Sequence, residues 1–250
     1  MLLRNLFAAV AGAAATLPAL ALAQTPAAGS PAIQAAGKKV ITSADQLPRR
    51  QYAIPRLPSE LLDAPKAEID AVVEAADKDI AEDLATLDIR DRATRTAMMN
   101  ARAQFAVHRG DYAAAQAFIR AVRSEQEKAA DKLTSGTSME NILEARLKGG
   151  SLEEQRARLK AALAQAYGAM PWEVVGDNLK GAKGSLELLS REVILGSVRT
   201  SMDPAAKNLK LNVPGGFVTG IVSLRNNLAH VLPFRDDMVA IMQALVERQG

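Results

Sequence analysis

The chain has 250 residues, with 31 lysines and arginines against 28 acids and no cysteine. A net charge of +3 is too balanced to make nucleic acid or an anionic membrane the main partner, and the missing thiols exclude disulfides, a lipidated cysteine and thiolate metal sites. Aromatic residues make up only 4 % of the chain, too few for base-stacking or sugar-binding platforms, whereas abundant alanine with Leu, Glu, Lys and Arg favours closely packed helices.

Residues 1–23 read as a cleaved signal peptide. Arg4 supplies the positive start, Leu6 to Ala15 the apolar core, and Ala21-Leu22-Ala23 a cleavage site before Gln24. Thr16 and Pro18 interrupt a segment already short of the roughly 20 apolar residues of a spanning helix. The expectation is an exported protein, periplasmic or secreted, with no stable membrane anchor after cleavage. Residues 24–37, rich in Ala, Pro, Gly and Ser, have no apolar period and read as a flexible linker.

Residues 38–60 form a proline-rich strap. Pro48, Pro55 and Pro58 each lack a backbone donor and restrict the residue before them, so the segment is expected to be extended and only partly ordered. Tyr52, Ile54 and Leu57 give it apolar anchors with which to lie along a helical body. A strand at Lys39 to Thr42 fits the local sequence but has no evident partner.

From residue 61 to 250 the periodicity is helical, with a subdivision allowed near 133–150. Pro65 suits a first helical turn, with Glu68 and Asp70 near the positive helix end; Ile69, Val72, Val73, Ala76, Ile80 and Leu84 recur at three- and four-residue steps. A second helix spans Asp91 to His108 and closes at Gly110; a third runs from Tyr112 to about Lys132 with Ala115, Phe118, Ile119 and Val122 inward. Ser138 to Lys148 gives a short helix ending at Gly149-Gly150, and Ser151 with Glu154 has the capping-box spacing that opens the next, through Leu159, Leu163 and Tyr167.

Pro171 permits another start, after which Val175, Leu179, Ala182, Leu186, Leu189 and Val193 form a coiled-coil-like seam; Gly176, Gly181 and Gly184 mark either close helix contacts or a break in it. The last two helices span about Gly216 to Val231 and Phe234 to Gln249, separated by Pro233. The predicted fold class is all-α: a bundle or irregular array of about seven helices with an extended N-terminal strap.

Charge is segregated along this body. Residues 60 to 91 hold 11 acids against 3 bases, and Arg92 to Lys132 hold 8 bases against 4 acids. Exposed ion pairs are worth only ~0–1 kcal/mol, so separately solvated faces are the favoured reading over pairing between helices.

Gly110-Asp111-Tyr112 followed by Ala115, Ile119 and Val122 resembles the second half of a tetratricopeptide repeat, but no second copy follows at the required spacing, which leaves one helical hairpin. Gly136-Thr137-Ser138-Met139 matches the tetrapeptide around the nucleophile of subtilisin-type serine peptidases. It continues into Glu140, Asn141 and Ile142, and the histidine upstream, His108, sits in Val107-His108-Arg109, so no triad is assembled and Ser138 reads as a helix cap. His108 and His230 have no second ligand at metal spacing, and the glycine clusters match no phosphate loop. The sequence thus offers no catalytic residue, no cofactor site and no metal site. For partner contact it offers Trp172 and, on the penultimate helix, Phe217, Ile221 and Leu224, although the stripe Phe217, Ile221, Leu224, Leu228 and Val231 more naturally serves the chain's own core.

The strap Ile41-Thr42-Ser43-Ala44-Asp45-Gln46-Leu47-Pro48-Arg49-Arg50, together with Met170-Pro171-Trp172-Glu173-Val174-Val175-Gly176-Asp177-Asn178-Leu179-Lys180, resembles the non-catalytic N-terminal region that precedes the protease domain in some large secreted subtilisin-type peptidases of Gram-negative bacteria. No catalytic position of that family has a counterpart in this chain. The resemblance implies an exported, non-catalytic helical domain that accompanies, folds or restrains a protease, with a subtilisin-type catalytic domain as its partner. The alternative, from the single hairpin, is a freestanding periplasmic helical interaction module.

Overall fold

The computed structural model describes residues 38–128, 136–168, 172–207 and 216–249. The signal peptide and linker expected over 1–37 lie outside the described residues. The fold is all-α: among the described residues, nine helices of 11 residues or more account for nearly all regular structure. In chain order they are α2 (Ala67–Thr86), α3 (Arg92–Arg109), α4 (Tyr112–Lys128), α5 (Gly136–Leu147), α6 (Leu152–Gly168), α7 (Trp172–Glu187), α8 (Arg191–Lys207), α9 (Gly216–Asn226) and α10 (Arg235–Gln249), preceded by a single turn, α1 (Pro58–Leu61).

The strap is tied to the body at three levels. Val40–Ile41 (β1) pairs in parallel with Asp88–Ile89 (β2), which supplies the strand partner that the sequence concealed. Ile41 and Ile89 enter the core there, at 0 % and 5 % exposure. Arg50 then reaches α2, donating to the Asp79 carbonyl at 3.1 Å and to Asp83 Oδ2 at 2.7 Å. The Tyr52 hydroxyl donates to Asp79 Oδ2 at 2.8 Å, and the Arg56 guanidinium pairs with Glu68. An extended segment without its own backbone ladder is held by such side-chain anchors at the cost of its chain entropy.

Local signals act as their chemistry requires. Asp91 caps α3 through the Thr94 amide at 2.8 Å, and Gly110 closes that helix in the left-handed conformation at φ 81°. Asp111 accepts from the Ala114 amide, so one glycine and one aspartate turn the chain from α3 into α4. Gly149 and Gly150 also have positive φ, and Ser151 and Glu154 satisfy each other's backbone amides, at 2.6 Å and 3.2 Å, as the capping box predicts.

Three elements depart from the sequence expectations. The seam over Val175 to Val193 is not one helix: α7 ends at Glu187, Ser190 caps α8 through the Val193 amide, and Val193 is exposed while Leu189 stays buried. The break falls after the glycines, and an added Cβ at Gly181 or Gly184 would meet nothing within 4 Å, so neither is a close-contact site. Helix α8, which the periodicity did not announce, carries Pro204 within it. The expected helix to Val231 is α-helical only to Asn226; over Asn227–Val231 the chain widens into a π-turn closed by the Leu232 amide on the Asn227 carbonyl.

The acidic and basic blocks are not separately solvated. Asp77 on α2 takes Arg102 at 2.9 Å and Arg109 at 2.8 Å from α3, Asp70 meets His108, and Arg95 pairs with Glu125 of α4. Asp77 is only 13 % exposed, so the pairing helps to align α2 with α3 where the sequence reading assigned it no role.

Apolar packing is divided among linked clusters. One gathers the strap and the first helices on α9: Ile41, Leu61, Ile69, Val73, Phe105 and Ile221 are buried together. A second gathers α5 to α10 around Leu159, Leu163, Ile194 and Phe234. A small third cluster joins α3, α4 and α5 through Ala106, Ala115 and Leu143. Helix α5 therefore serves two clusters, with Leu143 in one and Ile142 and Ala145 in another.

Candidate functional site

Where the clusters meet, a cleft of about 410 Å³ opens. The volume lies at the small end of the roughly 300–1,000 Å³ range of ligand sites. The loop between α1 and α2 gives it Leu62, Asp63, Ala64 and Lys66; the end of α3 gives His108; the start of α8 gives Arg191. Its far wall is the end of α9 with the π-turn, which contributes Arg225, Asn226, Leu228, Ala229 and His230. Leu228, Ala229 and His230 belong to the π-turn, a local widening of the helix that is frequent at functional sites.

Arg225 is half-buried and donates to the carbonyls of Leu61 and Ala64, the latter at 2.8 Å, so the guanidinium is anchored on the α1–α2 loop. Burial holds its pKa below the usual arginine value, against the pull of Asp63, Asp70 and Glu68. Asn226, almost fully buried, donates to the carbonyl and the side-chain oxygen of Gln104, both at 2.9 Å, which fixes the end of α9 against α3. Arg191 pairs with Asp63, both side chains half exposed.

Behind this front row lies an acid–base chain. Lys66 donates to Asp70 at 2.9 Å, and His108 Nε2 lies 2.9 Å from the same carboxylate. Burial works to raise the Asp70 pKa, but its hydrogen bonds to Lys66 and His108 outweigh it and hold the carboxyl below its ordinary range. For His108 burial is the larger effect, exceeding the help of Asp70, and it keeps the imidazole neutral at lower pH than usual. Burial, aided by the Arg146 charge, pushes His230 down to about 4. Its Nδ1 is buried without a partner, and its ring meets Tyr112 edge-on at 5.9 Å.

The cleft thus gathers Lys66, Arg191 and Arg225 with Asp63 on its lining and Asp70 and Glu68 acting on Arg225 from close by, while burial favours the uncharged form of both histidines. Its lining contains cations, amide donors and short apolar walls but no hydroxyl or thiol. His108 with Asp70 has the pairing of a base with an orienting carboxylate, and among the described residues lining the cleft none carries a hydroxyl or thiol. Among the described residues no cluster of three or more His, Asp or Glu side chains is placed to hold a metal ion, and no helix is long and apolar enough to cross a membrane.

The residues singled out from sequence fall elsewhere or at the margin. Ile221 and Leu224 are buried in the chain's own core at 0 % and 5 % exposure, so neither meets solvent; Phe217 packs partly buried against the first cluster. Trp172 opens α7, but its side chain lies outside the described residues, as does that of Ser138, whose backbone is in the first turns of α5 and not before it. Of the stripe on the penultimate helix, Leu228 is the member that lines the cleft. Neither histidine carried a sequence motif, and none of Lys66, Arg191 and Arg225 stood out, because residues spread from 62 to 230 converge only through the packing of α2, α3, α8 and α9. No protein-family model, no curated protein and no solved structure matches the chain.

Proposed function

We propose that this chain is an exported, non-catalytic helical domain that accompanies, folds or restrains a secreted protease, and that it meets this partner at the basic cleft. The observation that supports a docking role is the convergence of Lys66, Arg191 and Arg225, from three separate parts of the chain, on one cleft. Arg146 donates to the Ala229 carbonyl on the cleft rim, and its neighbour Leu147 is 43 % exposed. Charged groups arranged to complement a partner set orientation and partner choice at an interface. The identity of the partner rests on the resemblance of the strap and the Met170 to Lys180 segment to a protease leader region.

Calorimetric titration of residues Gln24 to Gly250 with the cognate subtilisin-type catalytic domain tests this. Saturable one-to-one binding, weakened at least about tenfold by Arg191→Glu, is the expected result. An absence of heat, or binding indifferent to Arg191→Glu, overturns it. The freestanding interaction module gains ground if a non-protease partner, and not the catalytic domain, shows that dependence on Arg191.

A further inference from the structure

We propose that His230 is an acid-sensitive latch: on taking a proton it leaves its seat against Tyr112 and Arg146, frees the π-turn and moves the far wall of the cleft. The chain has two histidines, His108 and His230, and both line this cleft. Histidine is the side chain whose ordinary protonation falls between pH 5 and 8, so mild acid changes side-chain charge at these two places before it reaches the carboxylates. The latch is a property of this chain alone, whatever the identity of a partner at the cleft.

The two surroundings receive the proton differently. The His108 side chain is 4 % exposed and lies 2.9 Å from the Asp70 carboxylate, which Lys66 also holds, with Arg225 acting on it from α9. A proton there completes an ion pair. His230 has no such arrangement. Arg146 reaches it from α5 by donating to the carbonyl of the adjacent Ala229, and Tyr112 meets its ring edge-on from α4. Lys66, Arg191, Arg225 and Asp63 share its cleft. The described carboxylates on these segments are held elsewhere: Asp63 by Arg191, Glu144 by Lys148, Asp111 by the Ala114 amide and Glu125 by Arg95. A proton on the buried ring therefore meets the like charge of Arg146, and the imidazolium gains hydration by leaving.

The seat is also under-bonded. Among the described residues six buried side-chain polar atoms have no partner, and three of them, Arg146 Nε, Asn227 Oδ1 and His230 Nδ1, belong to the π-turn or to the arginine beside it. Buried polar atoms without partners oppose the closed form, so local opening costs less here than in the apolar clusters. Burial, aided by Arg146, holds the closed ring down to about 4, against an ordinary 6.5 in solvent. Linkage then moves the opening equilibrium about tenfold towards the open form between pH 7 and pH 5.

Hydrogen exchange of residues 24–250, read amide by amide by NMR and corrected for intrinsic rates, tests the latch. From pH 7 to pH 5 the Leu232 amide, which closes the π-turn on the Asn227 carbonyl, is expected to lose about tenfold in protection while the Val73 amide of α2 keeps its own. His230→Phe, which keeps a ring but takes no proton, abolishes this step, and His108→Gln retains it. If His230→Phe fails to fold, His108→Gln and the ring titration of the parent protein carry the test. Equal losses at Leu232 and Val73, no loss at Leu232, or a step that survives in His230→Phe or vanishes in His108→Gln overturns the inference. So does a His230 ring that titrates near 6.5 while still in contact with Tyr112.

Discussion

Arg50→Met tests how the strap is held. Asp83 is 2 % exposed, and its oxygen lies 2.7 Å from an Arg50 guanidinium that is itself 22 % exposed. Burial already raises the Asp83 pKa above its ordinary value, and the hydrogen bond and charge of Arg50 oppose that rise. Removing one member of a fully buried pair costs about 3–5 kcal/mol; because water reaches one side of Arg50, about 2–3 kcal/mol is expected here. That is a large share of the roughly 5–15 kcal/mol by which a domain is stable. A group whose folded pKa is raised contributes most below its unfolded value, and that contribution is lost as pH rises through the folded one. The variant therefore approaches the parent protein near pH 3.8 and falls away from it as pH rises, since Asp83 must then ionise without its partner. Urea unfolding followed by far-ultraviolet circular dichroism at several pH values measures this, with Arg56→Met as the control, because its pair with Glu68 is exposed. Equal losses for the two variants, or a loss from Arg50→Met that does not grow with pH, would refute the reasoning.

Gly110→Ala and Gly181→Ala are expected to move thermal stability in opposite directions. At Gly110 a side chain meets nothing within 4 Å but must adopt φ 81°, a cost of about 1 kcal/mol; at Gly181, in open space on a helix, alanine gains up to about 1 kcal/mol. Phe234→Ala removes a ring that is 0 % exposed at the centre of the α5 to α10 cluster and should cost about 3–5 kcal/mol in urea unfolding. His230 is neutral in the fold down to about 4, whereas in the unfolded chain it protonates near its ordinary 6.5, so its contribution is full above that value and is lost as pH falls through about 4. His230→Gln should accordingly flatten the fall of the urea midpoint across this interval relative to the parent protein.

Several features of the fold are legible because their causes are local. The three- and four-residue apolar steps of α2, the Gly110 and Asp111 turn, and the Gly149, Gly150, Ser151 and Glu154 boundary each depend on groups within a few residues of one another. The break before α8 is less legible, since Leu186 and Leu189 remain buried through the interruption and keep the apolar spacing alive where the helix stops. The β1 and β2 pairing was hidden because a two-residue strand is specified by its distant partner and not by its own pattern.

Propensity, periodicity and capping act over one or two turns, so the all-α class and most helix positions can be read from the residues alone, whereas the strap expected to be extended also holds turns at Ala44–Gln46 and Pro58–Leu61. That the acidic α2 pairs with the basic α3, and that Lys66, Arg191 and Arg225 share a cleft, follows from how the helices pack. Those side chains are more than a hundred residues apart in part, and their energies depend on burial and distance, which the order of residues does not contain until the helices pack.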